Sequence, residues 1–346
     1  MKPLFQPQLV NDPFGDPALY VDFMFERRAL LFDIGDIQKL SPRKILRISH
    51  VFVSHTHMDH FMGFDHLLRI CLGRETQLHL FGPTGIIEKV EHKLASYTWN
   101  LVQNYTVGFS IIVSEYHQDG ALIKACFKCQ TGFTREQQSR RQIDNAVIID
   151  EMSFRVRAVH LDHKIESLAF SLEEKLHVNV WKNKLEELGY NTGPWLRELK
   201  QAVLRGADES ELFRVWWKTP ENTVEIYKPL GELKATFLQI VAGQKIAYVV
   251  DAGYTPSNIN KIMALIDHAN LLFIETSFLQ HEQAHAAQKY HLTSHQAGSL
   301  AKLAQVKTVV PFHFSTRYQG EESLLYQEVE AAFGKPVLRW NSNEHL

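Results

Sequence analysis

Ser54-His55-Thr56-His57-Met58-Asp59-His60 is the stretch that decides the fold and the chemistry of this chain. It follows the apolar, β-branched run 51–53, which predicts a buried strand, and it precedes 61–70, whose spacing predicts an amphipathic helix. Three imidazoles and a carboxylate therefore lie between a strand and a helix. Both groups bind zinc, and a strand-anchored turn holds them in a fixed geometry. We predict a metal site, because a solvated His-rich turn does not account for four ligand-type residues at this spacing.

The composition is that of an ordinary globular protein. Of 346 residues, 45% are hydrophobic and 22% are charged, which suits one large α/β domain or two smaller ones. Three cysteines do not make a disulfide framework, and the sequence has neither an apolar signal core nor a run long enough to cross a bilayer. A cytoplasmic location is therefore expected. The net charge of −2 gives no global reason to expect a polyanionic partner, so nucleic-acid binding would depend on local patches.

Strand and helix patterns predict the layered fold. A strand-rich first half and a second half ending in strand–helix units favour two sheets covered by helices, a four-layer αββα sandwich. The segment 174–233 differs, because it carries four of the six tryptophans and has helical spacing around Gly193-Pro194. It is predicted to be an inserted helical arm between 1–173 and 234–346, the two halves of one domain.

Four other segments carry simpler patterns. Residues 1–16 are typical of an irregular lead-in, the polar run 134–142 predicts an exposed loop, and 336–340 predicts a strand. Cys126 and Cys129 form a lone C-x-x-C on a predicted strand. Both cysteines are expected to be structural, because a zinc site would need a second pair of ligands.

Further ligand-type residues follow three other predicted strands, namely His160 and His163, Asp251, and His313. A His or Asp that closes a strand is most often a capping or surface residue. The set is nevertheless coherent with the opening motif, because each side chain would be delivered from the carboxyl end of a strand. Spacing alone does not choose between His160 and His163.

Several stretches resemble the metallo-β-lactamase superfamily and, within it, ribonuclease Z, the tRNA 3′-processing endonuclease. The segment Leu188–Lys200 is similar to the Gly-Pro arm with which that family grips tRNA. The other matching motifs run from about residue 30 to residue 318 and are Ser54–His60, Gly82–Gly85, His163–Phe170, Tyr248–Thr255, Glu275–Phe278, Tyr290–Gly298 and His313–Tyr318.

The chain departs from the family's pattern at three places. The Gly-rich opening strand is replaced by 11–16, and 34–38 follows the family's Gly-Glu-Gly-Thr-Gln only loosely. Ile274 stands where a His before the Glu is usual. These departures bear on the substrate more than on the metal site.

The resemblance implies two zinc ions per chain, bridged by a hydroxide. His163 is preferred to His160 because the family places its ligand just before the strand that begins here with Ile165-Glu166-Ser167. The implied ligands are His55, His57 and His163 for one metal and Asp59, His60 and His313 for the other, with Asp251 bridging them.

Phosphodiester hydrolysis is the reaction that this ligand set would support. Asp59 would serve as a ligand and as the orienter or base for the attacking water. His291 would donate a proton to the leaving 3′ oxygen, with Glu275 fixing its ring, although by position alone His291 could be a surface residue at a helix start. Ser315 and Arg317 are candidate phosphate contacts, and Arg317 could instead pair with a carboxylate.

The resemblance also implies a tRNA precursor as partner and a homodimer. Gly193, Pro194 and Lys200 of the arm would contact the RNA, but 182–205 has only five basic residues against three acidic ones, which is weak electrostatic support. Two alternatives stay open at this point. One is a metallo-hydrolase of small phosphodiesters or other esters, and the other is a non-catalytic, metal-containing binding module, whose structural zinc would normally close with four ligands.

Overall fold

The computed structural model describes residues 4–24 and 26–340, with the backbone alone at 137 and 138. The strands within these ranges are β1 (Phe5–Leu9), β2 (Leu19–Phe23), β3 (Ala29–Phe32), β4 (Ile48–Phe52), β5 (Thr76–Pro83), β6 (Phe109–Tyr116), β7 (Ala121–Lys128), β8 (Arg135–Gln142), β9 (Val147–Asp150), β10 (Phe154–Asp162), β11 (Glu166–Glu174), β12 (Leu176–Val180), β13 (Leu212–Lys218), β14 (Thr223–Pro229), β15 (Leu238–Ala242), β16 (Lys245–Val249), β17 (Leu271–Glu275) and β18 (Thr308–Phe312).

The α-helices of the same ranges alternate with these strands. They are α1 (Pro42–Ile45), α2 (Met58–Phe61), α3 (Phe64–Cys71), α4 (Ile86–Ala95), α5 (Lys182–Glu187), α6 (Trp195–Leu204), α7 (Leu230–Phe237), α8 (Pro256–Ile266), α9 (Gln283–Lys289), α10 (Ser294–Leu303) and α11 (Glu322–Phe333). None of them is long and apolar enough to cross a membrane.

The chain divides into two compact units. The larger unit comprises the described residues of 1–149, 156–172 and 245–346, and the smaller unit comprises 150–155 and 173–244. All the ligand-type residues predicted from the sequence belong to the larger unit. The candidate arm residues belong to the smaller one.

The first sheet of the larger unit contains β1 to β8 in sequence order. Strands β3 to β6 run parallel, and the pairs on either side of them run antiparallel. On one face of this sheet, side chains such as Val51 and Ile111 are fully buried and pack with Phe64 of α3 and Val90 of α4. Helices α1, α3 and α4 therefore form the layer that covers this face.

The second sheet has the strand order β18-β17-β16-β11-β10-β9. Helices α8, α10 and α11 cover one of its faces through a second core cluster. On the other face, the ring of Phe170 lies 5.7 Å from that of Phe32 and 5.6 Å from that of Phe52, both in the first sheet. The two sheets therefore face each other across aromatic side chains, and the predicted four-layer sandwich is confirmed.

The smaller unit contains strands as well as helices. Strands β13 and β14 form an antiparallel hairpin, and β12 pairs with β15. Its core is built from α6, α7 and the hairpin, with Trp195, Leu199, Val215 and Phe237 all buried. The helical spacing of 174–233 therefore predicted the secondary structure of this segment only in part, because residues 212–229 form two paired strands. The role of this segment as an inserted arm stays a prediction.

Three local expectations were wrong. Residues 1–16 contain a strand, β1, whose Phe5 ring packs 5.1 Å from that of Phe23. The polar run 134–142 forms β8, because its backbone continues the ladder of β7, and an edge strand tolerates polar side chains. Residues 336–340 form no strand, and a hydrogen bond from the Leu338 amide to the carbonyl oxygen of Val309 links them to β18.

The turns that hold the opening motif fit closely together. A β-carbon on Gly63 would lie 2.1 Å from the carbonyl oxygen of Gly35, and one on Gly35 would lie 2.2 Å from that of Asp59. Backbone hydrogen bonds from Ile34 to His60 and from Gly63 to Ile34 join the same segments. Glycine is required at both positions because no side chain fits between the two backbones.

Candidate metal centre

The predicted ligands lie on four turns that follow strand ends of the larger unit. The opening motif follows β4, His163 lies between β10 and β11, Asp251 follows β16, and His313 follows β18. Asp251 has a φ of 48° and His313 a φ of 57°. Such left-handed values are uncommon outside glycine, and they concentrate where surrounding structure forces a functional geometry.

One group of ligand atoms comes from His55, His57, His163 and Asp251 and lies within 4.8 Å of one another. The Oδ2 atom of Asp251 is 3.4 Å from Nε2 of His55 and 3.2 Å from Nε2 of His163. His163 donates a further hydrogen bond from Nδ1 to the carbonyl oxygen of Tyr290, which fixes its ring. The group therefore has the composition predicted for the first metal.

A second group comes from Asp59, His60 and His313, again within 4.8 Å. The Oδ2 atom of Asp59 is 3.4 Å from Nε2 of His60 and 3.4 Å from Nε2 of His313. Asp251 reaches this group as well, with 3.5 Å between its Oδ2 and Nε2 of His60 and 3.3 Å between its Oδ1 and Nδ1 of His313. Asp251 thus contacts both groups, as a bridging ligand must.

The residues fit bound cations. Nε2 of His55, Nε2 of His60 and Oδ1 of Asp251 are buried and have no hydrogen-bond partner in the described part of the chain. A buried polar atom without a partner costs about 1–3 kcal/mol, so three such atoms facing one cluster need a compensating charge. Imidazole nitrogens and carboxylate oxygens are the donor set that zinc accepts.

Asp33 is a functional residue that sequence reasoning missed. This buried carboxylate has Oδ2 2.9 Å from Nδ1 of His60, and the same oxygen accepts hydrogen bonds from the hydroxyls of Ser54 and Tyr248. Its Oδ1 accepts a hydrogen bond from the Ser54 amide at 2.6 Å. Asp33 therefore orients His60, as carboxylates behind metal-binding histidines do. The signal available in the sequence was an acidic residue at the end of a buried strand.

The two carboxylates of the cluster are held ionised. Burial raises the pKa of Asp251, but the charges of His313 and His60 outweigh burial and hold that pKa well below its ordinary value. Burial also raises the pKa of Asp59, and hydrogen bonds with His313 and His60 lower it far below the usual range. Ionised carboxylates are the form that binds a cation.

The histidines divide into two electrostatic types. Burial lowers the pKa of His55 to about 4 and also lowers the pKa of His57, which favours the neutral imidazole that metal binding requires. Burial lowers the pKa of His60 too, but the charges of Asp251 and Asp33 raise it well above the ordinary value. These carboxylates favour a positive charge beside His60, which a bound metal ion would supply.

His291 and Glu275 form a pair beside the ligands. Nδ1 of His291 lies 2.7 Å from Oε2 of Glu275, and Glu275 also accepts hydrogen bonds from the Ala252 amide and the Ser277 hydroxyl. Burial lowers the pKa of His291, but Glu275 outweighs burial and raises that pKa to about 9. The rings of His291 and His163 are 4.8 Å apart, so the pair lies at the edge of the ligand cluster. No role was predicted for Ser277 from the sequence.

His160 lies outside the ligand groups. Its Nδ1 is 2.5 Å from Oε1 of Glu166, and its ring lies 4.4 Å from that of Tyr116. Spacing alone did not choose between His160 and His163 as the ligand. In the structure, His163 belongs to the group around Asp251 and His160 does not.

The candidate substrate contacts are less concentrated. Arg317 is paired with Glu282, and its guanidinium lies 5.4 Å from the centre of the Phe278 ring. The Ser315 amide donates a hydrogen bond to the carbonyl oxygen of Ser277. In the smaller unit, Gly193 and Pro194 come directly before α6, and Lys200 is a half-buried residue of that helix. Their contact with a substrate stays a prediction.

The fold and the strand-end ligands together define a metallo-β-lactamase fold protein. The metallo-β-lactamase fold protein YhfI from Bacillus subtilis is similar to this chain with a TM-score of 0.56 and 14% identity, covering 99% of this chain and 98% of that one. The short form of human tRNase Z is similar with a TM-score of 0.50 and 19% identity, covering 91% and 93%. At these identities the likeness shows the fold.

Sequence comparison points to one branch of that fold. Ribonuclease Z of Deinococcus radiodurans is 28% identical to this chain over 316 residues, which cover 90% of each protein. No family model matches the chain. The predicted resemblance to ribonuclease Z is therefore confirmed, and it extends over nine-tenths of the sequence.

Proposed function

We propose that this protein is a metal-dependent endoribonuclease of the ribonuclease Z type, which cuts precursors at tRNA 3′ ends. The main support is the position of Asp251, whose buried carboxylate contacts histidines of both ligand groups. The resemblance to ribonuclease Z over nine-tenths of the chain supports the predicted reaction and the predicted enzyme class.

Zinc is the proposed metal, with two ions per chain held by the two ligand groups. Bound zinc lowers the pKa of coordinated water and polarises a phosphoryl oxygen. Asp59 is suited to orient the attacking water, because its side chain is 44% exposed while Oδ2 faces His60 and His313. The substrate therefore approaches from the open side of Asp59.

His291 is the proposed proton donor. Its pKa of about 9 keeps the imidazole protonated at neutral pH, because Glu275 stabilises the charge. Since Nδ1 is engaged by Glu275, the proton for the leaving 3′ oxygen comes from Nε2. Glu275 is in turn fixed by the Ala252 amide, which directly follows Asp251, so the donor and the bridging ligand are positioned together.

The segment 174–233 is proposed as the arm that binds RNA, through Gly193, Pro194 and Lys200. A homodimer and a cytoplasmic location belong to the same proposal. One observation favours the alternative of a small-phosphodiester hydrolase. Arg317, a candidate phosphate contact, is already paired with Glu282 and so offers less charge to an RNA backbone.

Cleavage of two substrates separates these functions. The zinc-loaded protein is incubated with a 3′-extended tRNA precursor and with bis(p-nitrophenyl) phosphate, each with and without chelator. We expect chelator-sensitive cleavage of the precursor directly after the acceptor stem. Turnover of the ester alone would establish the alternative, and two bound metals with no turnover of either substrate would establish a binding module.

Matched variants sharpen this comparison. Asp59→Ala should abolish cleavage of both substrates, because it removes the group that orients the water. His268→Gln is the control, because this His is 66% exposed and its nearest charged partner is the neighbouring Asp267 at 3.9 Å. An Asp59→Ala protein that bound both metals and cut at the parental rate would refute the assigned role.

A further inference from the structure

A separate cavity opens on the first sheet of the larger unit. It has a volume of about 550 Å³ and is lined by Gln77, Ile112, Lys124, Ala125, Cys126, Lys128 and Ser139. Gln77 lies at the start of β5, whereas the metal ligands follow the end of β4, and these two strands run parallel. The described residues that line the cavity include none of the predicted metal ligands.

The strand pattern fixes which side chains face this cavity. Ala125 and Phe127 of β7 are buried against the helical layer. Because side chains alternate along a strand, Lys124 and Cys126 point to the other face. Ser139 of β8 is the direct ladder partner of Lys124, so its hydroxyl lies beside the lysine stem. A cation, a hydroxyl and a thiol thus share one wall.

Lys124 is the unusual member of this wall. It is half-buried, and its ammonium group makes no hydrogen bond or ion pair within the part of the chain that the structure describes. Burial and the charge of Arg141 both lower the pKa of Lys124, so its surroundings are low in compensating negative charge. A partly desolvated cation without a partner is costly, and an anion would remove that cost.

Two carboxylates on or beside β8 are already paired with other cations. Lys128 is 2.6 Å from Oε2 of Glu136, and Arg140 is 2.7 Å from Oδ2 of Asp119. Among the residues that the structure describes, these pairs engage Lys128 and Arg140, whereas no such pair engages the ammonium group of Lys124. The cavity also has the size of a small-molecule site, which typically measures about 300–1,000 Å³.

We propose that this cavity binds a phosphate group, carried by inorganic phosphate or by a mononucleotide. Lys124 supplies the charge, and Ser139, its ladder partner, supplies a neutral hydrogen-bond donor. The site is independent of the proposed nuclease reaction, because none of its residues belongs to the ligand groups.

Cys126 provides a direct readout of occupancy. It is half-exposed in the cavity wall, whereas Cys71 and Cys129 are buried. The rate of Cys126 alkylation by iodoacetamide is measured on the full-length protein by peptide mass spectrometry. The reaction is run with sodium phosphate, with AMP, and with sodium chloride at equal ionic strength. We expect a saturable slowing by phosphate and AMP alike, while slowing by AMP alone would assign the site to a nucleotide.

Variants and metal removal test the assignment further. Lys124→Gln should weaken protection by roughly tenfold in apparent affinity, the effect of losing one charge-assisted hydrogen bond. Lys302→Gln, which changes an exposed lysine of α10, should leave protection unchanged. The proposal is overturned if neither anion slows alkylation beyond chloride, if Lys124→Gln keeps full protection, or if chelation of the metals removes it. Nuclease assays on the same samples report separately on the proposed function.

Discussion

Asp33 shows how a single buried carboxylate can position a residue of the candidate metal centre without being one of its predicted ligands. It holds His60 at 2.9 Å and is itself fixed by Ser54 and Tyr248. His60 is fully buried, and its Nε2, which faces Asp59 and Asp251, has no hydrogen-bond partner among the described residues. The orientation of this nitrogen therefore depends on Asp33.

The variant Asp33→Asn should weaken metal binding at the group of Asp59, His60 and His313. We expect a loss of roughly 10–100-fold in affinity, which is typical when the partner behind a metal-binding histidine is changed. Titration of the metal-free protein with zinc, followed by calorimetry, measures this loss. Equal affinities in the parent and the variant would show that Asp33 does not orient His60.

His291 should act on the chemical step and not on metal binding. His291→Gln is expected to lower kcat by about 10²–10⁴-fold, the usual contribution of a general acid, with the metal content unchanged. Glu275→Gln should lower kcat less, because the imidazole remains. Single-turnover cleavage and elemental analysis on the same samples check both points. A His291→Gln protein that loses a metal would instead identify His291 as a ligand.

At the scale of elements, strands β4 and β5 carry His50 and His79, two histidines that are not among the predicted metal ligands. The rings of His50 and His79 stack at 4.7 Å, and Nη2 of Arg28 lies 3.2 Å from Nδ1 of His50. Burial, together with the charges of His79 and Arg28, lowers the pKa of His50 to about 2. This half-buried imidazole therefore stays neutral in the folded protein.

This pair predicts how stability depends on pH. As pH falls below the ordinary histidine pKa of about 6.5, the unfolded chain gains a proton at His50 that the folded chain does not bind, so the free energy of unfolding decreases. Between pH 7 and pH 5 the parent should lose about 1 kcal/mol more than His50→Gln, after allowance for partial exposure. Urea unfolding at both pH values measures the difference, with His268→Gln as control. An identical pH dependence in the parent and His50→Gln would contradict the neutral, buried state.

Elements with strong local patterns could be predicted from the sequence, and those defined by long-range pairing could not. The strand before the opening motif and the helix after it are signalled by their apolar spacing. Strand β8 is not, since its run of Arg, Gln and Ser becomes a strand only by pairing with β7. The hairpin β13–β14 was missed for a related reason, because its tryptophans also fit a helical spacing.

At the scale of the whole molecule, the predicted ligands could be found from the sequence, whereas the residues that hold them in place could not. His55, His57, Asp59 and His60 are visible because their chemistry is concentrated in one short stretch. Asp33, Tyr248 and Ser277 are far apart in the sequence, and only the folded chain shows that they contact the ligands or their partners. The cavity around Lys124 is invisible for the same reason, since four separate strands form it.

The central claim is that Asp251 joins two ligand groups into one centre of two metals. Zinc content per chain, measured by native mass spectrometry after titration of the metal-free protein, tests this claim most directly. The parent should bind two zinc ions, and Asp251→Asn should lose at least one of them, because an amide cannot balance the charge of two cations. A parent that saturates with one zinc, or an Asp251→Asn protein that still binds two as tightly as the parent, would contradict the account.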